Sequence, residues 1–203
     1  MKRFTGLMLI GILACGLFFA LGTATADEIL DQINEAMELY KQGDYSGAVS
    51  GLDFAAMQIR ELQAARAAEA LPAALPGWQA EEAETSSMSG AMFGGGISAE
   101  RTYTKDDAEV NIQLISESPM LQGIMMMFNN PMVMSSSGKK LKQIKGQKAA
   151  WEYNPEDRSG EIILVAHNVV MITVKGSNVD ESELLAYAEA IDFDLIGKLV
   201  SGN

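Results

Sequence analysis

The spacing of apolar residues changes once along this chain, and that change limits the folds open to it. Between Asp27 and about Ala70 the apolar positions recur every three or four residues. Ile29, Ile33, Ala36, Met37 and Tyr40 form one stripe, and Ala48, Val49, Leu52, Ala55, Ala56 and Ile59 form a second, with Gly43-Asp44 between them. This spacing predicts two helices joined by a short turn, an antiparallel hairpin. Gln58 to Leu71 is rich in Ala, Glu, Gln and Arg and extends the second helix. Pro72 and Pro76 end it, and residues 72–77 read as a linker.

From Trp78 the pattern becomes that of strands. Ile97 to Thr104 predicts one strand, Lys105-Asp106-Asp107 a turn, and Val110, Ile112 and Leu114 a strand with one apolar face. Pro119 suits the start of a helix over Met120 to Phe128, which Asn129-Asn130-Pro131 closes, and Ser135 to Gly138 reads as a loop. Strands are then expected at Leu141–Lys145, Gln147–Tyr153, Glu161–Ala166 and Val169–Val174, the last two joined at His167-Asn168, where Asn tolerates positive φ. One final helix is expected from Asp180, with Asp180 and Glu183 at capping-box spacing and a stripe of Leu184, Ala188, Ile191, Leu195 and Leu199. The order is three strands, helix, four strands, helix. The expected fold class is α+β: an N-terminal helical hairpin (27–71), then a mostly antiparallel β-sheet domain (78–203) covered by one or two helices.

Ahead of the hairpin, Lys2 and Arg3 precede an apolar run from Phe4 to Gly22, and Ala24-Thr25-Ala26 follows. A basic start, an apolar middle and small residues at −3 and −1 predict a secretory signal peptide over residues 1–26, cut after Ala26, and hence a periplasmic address. The run is 19 residues long, and about 20 suffice to span a bilayer, so an uncleaved membrane anchor is the alternative. Ile12-Leu13-Ala14-Cys15 loosely resembles a lipobox, but Gly16 to Leu21 after it lacks the usual polar tether.

Composition narrows the function. Cys15 is the one cysteine, so a chain cut after Ala26 has no thiol, no disulfide and no thiolate metal site. Loss of Lys2 and Arg3 moves the formal charge from −12 to −14, which disfavours nucleic acid as a partner. His167 is the single histidine and falls at a hairpin tip without a Gly-x-Ser-x-Gly element, which argues against a serine triad and against zinc. Gly94-Gly95-Gly96 does not stand between a strand and a helix, as a phosphate-binding loop does.

Two resemblances add to this reading. Ala36, Leu39, Gly43, Tyr45, Ala48, Leu52 and Ala55 fall where a tetratricopeptide repeat places its small, large, glycine and aromatic residues, and the stretch Leu39 to Ala48 resembles that family's turn. The resemblance covers one repeat and implies peptide or protein binding. A single repeat cannot bury its face alone, since about three are usually needed, so it must pack on the rest of the chain, a second copy or a partner. The element order from Leu75, with Leu-Pro-Gly-Trp at Leu75–Trp78 and the late helix Leu184–Ile191, resembles the PsbP-like fold and periplasmic proteins of proteobacteria. Folds of this kind carry many functions.

The remaining signals are methionine and lysine. Met88, Met92, Met120, Met125, Met126, Met127, Met132 and Met134 crowd one stretch. Thioethers bind Cu(I), and Met88, Met92, Met132 and Met134 have spacings that could converge on one ion. The competing reading is a soft contact surface or core, since methionine adapts to irregular neighbours. Met120, Met125, Met126, Met127 and Phe128, with Lys139, Lys140 and Lys142, are therefore the candidate surface for a partner or ligand. Lys145 and Lys148 extend the basic cluster, which either guards an edge strand or meets an anionic lipid surface or acidic partner. The expectation is a non-enzymatic binding protein without a cofactor, touching a protein partner or a second copy of itself. The alternative is a carrier or sensor of an apolar ligand or lipid, held between the sheet and the Met120–Phe128 helix.

Overall fold

The structure is a computed structural model that describes residues 26–87, 96–136 and 138–201. It is an α+β fold: a helix pair, then an eight-stranded antiparallel sheet with helices at the C-terminus. Residues 1–25, including Cys15 and the apolar run, and residues 88–95, including Met88, Met92, Gly94 and Gly95, lie outside the described part.

Helix α1 spans Ala26–Lys41 and α2 spans Tyr45–Ala68. Asp27 and Glu28 in the first turn of α1 and Lys41 in its last both oppose the helix dipole. Gly43 leaves α1 with φ +85°, its N–H on Tyr40 O and the Asp44 N–H on Leu39 O. That pair of bonds is the Schellman closure, and it explains the glycine. Asp44 then caps α2, its Oδ1 accepting from the Gly47 N–H at 2.9 Å.

The sheet comprises β1 (Gln79–Ala80), β2 (Glu84–Ser87), β3 (Ile97–Lys105), β4 (Ala108–Ser116), β5 (Lys140–Ile144), β6 (Gln147–Asn154), β7 (Ser159–Ala166) and β8 (Val170–Ser177). The strand order is β1-β3-β4-β8-β7-β6-β5, with β2 also paired to β3. Two antiparallel runs thus meet where β4 pairs with β8. The two-residue β5–β6 turn places Lys145 and Gly146 at positive φ, and the three-residue β7–β8 connection, 167–169, does the same for His167 and Asn168.

Each strand alternates between the two faces. Face one carries Tyr103, Ile112, Leu114, Ile162, Leu164, Ile172 and Val174, all buried. It is covered by the end of α2 and by α5 (Glu181–Ala190) and α6 (Phe193–Ser201). Face two is divided. Over β6 and β7, Ala150, Ile163 and Val165 lie under α3 (Met120–Asn129). Over β3 and β4 the same face is polar, with the Asn111 and Gln113 amides donating to the Glu100 carboxylate at 2.7 and 2.9 Å.

Residues 72–77, expected as a linker, are pinned to the sheet. Pro72 O accepts from the Tyr103 hydroxyl at 2.7 Å and from Arg101 Nη1 at 3.2 Å, and the Leu75 N–H donates to Tyr187 Oη at 3.4 Å. Pro76 and Gly77 (φ +84°) form the middle of a turn closed by the Trp78 N–H on Leu75 O. Trp78 then stands edge-on to Tyr187, with ring centroids 5.2 Å apart.

Four local expectations need correction. Two short strands, β1 and β2, precede β3, so four strands and not three come before α3. Asn130-Pro131 ends α3 but also starts α4 (Pro131–Ser136), with Asn130 Oδ1 accepting from the Met132 and Val133 N–H groups. The same pair is a stop followed by a cap and a first-turn proline. The expected single C-terminal helix is two, because Ile191 is extended (ψ 136°) and Asp192 Oδ1 caps α6 through the Leu195 N–H at 2.8 Å. The side chain of Asp180 does not cap α5 and instead takes Arg158 Nη2 at 3.1 Å.

Candidate functional site

The hairpin holds together through its smallest residues. Ala36, Ala48, Gly51 and Ala55 are buried between α1 and α2, and a Cβ on Gly51 would meet that of Ala36 at 3.0 Å. Such close approach leaves many of the hairpin's larger residues outward, although Ile29 is buried and Ile33 and Leu39 are half-buried. Leu30, Met37, Tyr40, Tyr45, Val49, Leu52 and Ile59 are all exposed, Tyr45 to 64% and Leu52 to 51%. The Tyr40 and Tyr45 rings touch, with centroids 5.5 Å apart, so both helices present these residues on one side. Along α2, Tyr45, Val49, Leu52, Ala56 and Ile59 follow the alternating four- and three-residue step of a helix-binding seam.

At the far end of α2 the seam runs into a cleft of about 330 Å³. Gln63 and Ala67 of α2 form one wall, Ile196, Leu199 and Val200 of α6 the other, and Ile97, Ala99 and Leu114 of the sheet the floor. Ser116 and Glu117 stand at its margin. The lining is mostly apolar and lies on face one. The sequence placed an apolar ligand beneath Met120–Phe128, on the other face. There Phe128, Leu121, Ile124 and Met125 pack on Ala150, Ile163 and Val165.

The methionines divide by helix geometry. Met120, Met126 and Met132 are exposed, Met126 to 73%, whereas Met125 and Met127 are half-buried against the face-two cluster and Phe128 is buried. Met88, Met92 and the side chain of Met134 lie outside the described residues, so Met132 alone of the four Cu(I) candidates can be placed.

Nor do the lysines join the methionines as one surface. Lys139 lies between Glu152 (3.0 Å) and Glu161 (2.6 Å), with its side chain only 14% exposed. Burial works against its charge, but the hydrogen bonds to Glu161 and Glu152 prevail and hold the ammonium above its ordinary pKa. Lys140 and Lys142 pair across from Trp151 and Ala149, residues of face one, and so point away from α3. The Lys142 ammonium sits 4.0 Å over the Trp151 ring. Both lie on β5, the edge strand, where lysine discourages pairing with a further strand.

Other titratable groups serve the fold. Burial raises the Tyr103 hydroxyl to a pKa of about 12. Glu183 takes the Lys105 ammonium at 2.7 Å, and that hydrogen bond chiefly holds its carboxyl below the usual range. The ring of His167, exposed at its hairpin tip, leans over Gly197 with Nε2 3.0 Å from Phe193 O. Among the described residues no group of three or more His, Cys, Asp or Glu is placed to hold a metal, and no helix is long and apolar enough to cross a membrane.

The sequence reading found the stripes but not their division into buried and exposed members. The signal was there: alanine and glycine mark a close helix contact, and larger residues cannot share it. No protein-family model matches the chain, and comparison with curated proteins and with solved structures found no match.

Proposed function

We propose that this chain is an exported, non-enzymatic binding protein whose hairpin docks on another protein. The observation that carries the reading is the outward row of Tyr40, Tyr45, Val49, Leu52 and Ile59 on a hairpin whose helix–helix contact is made mainly by Ala36, Ala48, Gly51 and Ala55. Contiguous exposed apolar patches on a soluble protein mark contact sites. The tetratricopeptide-like spacing of Ala36 to Ala55 supports the same reading, and the N-terminal pattern of residues 1–26 supports a periplasmic setting. The test is recovery of proteins from envelope extract by the wild type and by Leu52→Asp. A partner retained by the first and lost by the second supports the reading. An identical retained set for both ends it.

The cleft between α2 and α6 favours a second reading, a carrier of an apolar molecule or lipid. Mass spectrometry of material extracted from the purified protein decides this. A stoichiometric lipid is required, and its absence removes the carrier reading.

A further inference from the structure

We infer that the partner element is a cationic amphipathic helix, lying along α2 from Tyr45 into the cleft beside α6. The inference rests on the docking role proposed above and adds the chemistry of what docks. Shape is the first argument. From Tyr45 to Ala67 the seam covers 22 residue steps of helix, about 33 Å at ~1.5 Å per residue, which suits a partner helix of roughly that length. Its alternating four- and three-residue step offers holes for the side chains of an opposing helix. Both seam helices have their backbone groups bonded within the helix, so an added β-strand would find no ladder to extend.

Charge is the second argument. The hairpin from α1 through α2 contains eight acidic and three basic residues, a net of −5. Asp31 lies along the outer edge of α1, Asp53 along that of α2, and Glu117 at the cleft. None of the three has an ion-pair partner among the described residues. Two copies meeting hairpin to hairpin would set like charges against each other, whereas a lysine- or arginine-bearing helix would set its polar flanks against these acids. Within α2 itself Arg60 and Arg66 offset Asp53 and Glu61, so the excess of negative charge lies along α1, at Asp44 and at Glu117 of the cleft, and there the apolar seam selects for positive charge on the partner's polar face.

The experiment uses two synthetic 22-residue peptides with the same leucine pattern, one with lysine and one with glutamate at every polar position. Binding to the purified protein is measured by calorimetry, and the contact is located by hydrogen exchange. The lysine peptide is expected to bind at least tenfold more tightly than the glutamate peptide and to protect α2. Val49→Asp and Leu52→Asp are expected to weaken it at least tenfold. The direction matters, because added negative charge would strengthen a merely electrostatic adsorption. Equal affinity for the two peptides overturns the inference, as does unchanged or stronger binding of the lysine peptide by the aspartate variants. Both changes are at exposed positions, and circular dichroism verifies the fold. If Leu52→Asp loses its partner in envelope extract while the lysine peptide fails to bind, the docking role stands and the cationic helix falls. If neither effect appears, both fall.

Discussion

In the sheet, Ile112, Ile162, Leu164, Ile172 and Val174 are fully enclosed, whereas the hairpin encloses mainly Ala36, Ala48, Gly51 and Ala55, with Ile29, and leaves Tyr40, Tyr45, Val49, Leu52 and Ile59 outside. Both regions are apolar in sequence, but apolar area stabilises a fold only when it leaves water. The sheet uses its large side chains to hold itself together. The hairpin relies on close backbone approach, a capped turn and the anchoring of α2 to the sheet through Ala64, Ala67 and Ala68, and the outward row of large side chains from Tyr40 to Ile59 is free for something else.

The widest expected gap between the two regions comes from matched truncations. Leu164→Ala should cost about 2–5 kcal/mol, since it empties a fully buried site. Leu52→Ala should stay within about 0.5 kcal/mol, as surface changes do. Denaturant midpoints of the two variants make the comparison. A large loss at Leu52 would mean that the hairpin face is covered in solution, and the contrast would collapse.

Next in size is overpacking of the hairpin joint. Gly51→Leu places atoms where even a Cβ would crowd Ala36, and about 1–3 kcal/mol of destabilisation is expected. Limited proteolysis should then cut α1 first, while the strands stay protected. Cleavage rates equal to the wild type would show that the small-residue contact is dispensable.

The clasp at Pro72 sharpens the comparison from the sheet side. Tyr103→Phe removes the 2.7 Å bond to Pro72 O, which Arg101 still partly satisfies, so a loss of about 1 kcal/mol is expected. The wild type should also weaken in alkali. The folded hydroxyl has a pKa of about 12 against an ordinary 10.0. The unfolded chain therefore releases this proton first, and stability holds below that ordinary value and declines as pH rises through about 12. Denaturation monitored by phenolate absorbance should show this decline in the wild type and a shallower one in Tyr103→Phe. Identical alkaline profiles would place Tyr103 in contact with water.

The fold class was legible because the change from helical to alternating spacing survives any local context. The β7–β8 turn was legible for a similar reason, since His167-Asn168 stands between two apolar runs and Asn accepts positive φ. The break at Ile191 was not, because Ile191 continues the apolar stripe, and only the capping role of Asp192 betrays a second helix start. The candidate surface was legible only in pieces. Lys140 and Lys142 sit close in sequence to the methionines of α3, but strand parity sends them to the opposite face. A side chain on a strand takes its face from register, and a shift of one residue would reverse it. The outward face of the hairpin was hidden for a different reason: alanine and leucine count equally in an apolar stripe, and only their volumes decide which of them can stand between two helices.

The amide of Asp192 closes on the carbonyl of Ala70 at 3.1 Å, which joins the end of α2 to the start of α6. Helix α2 is synthesised early, yet its sheet-side alanines wait for α6 before their surroundings are complete. A growing chain that has not yet reached Asp192 lacks this joint, whatever its first part has formed. A contact between residues so far apart in the chain is slow to form, because loop closure costs entropy before the contact rewards it.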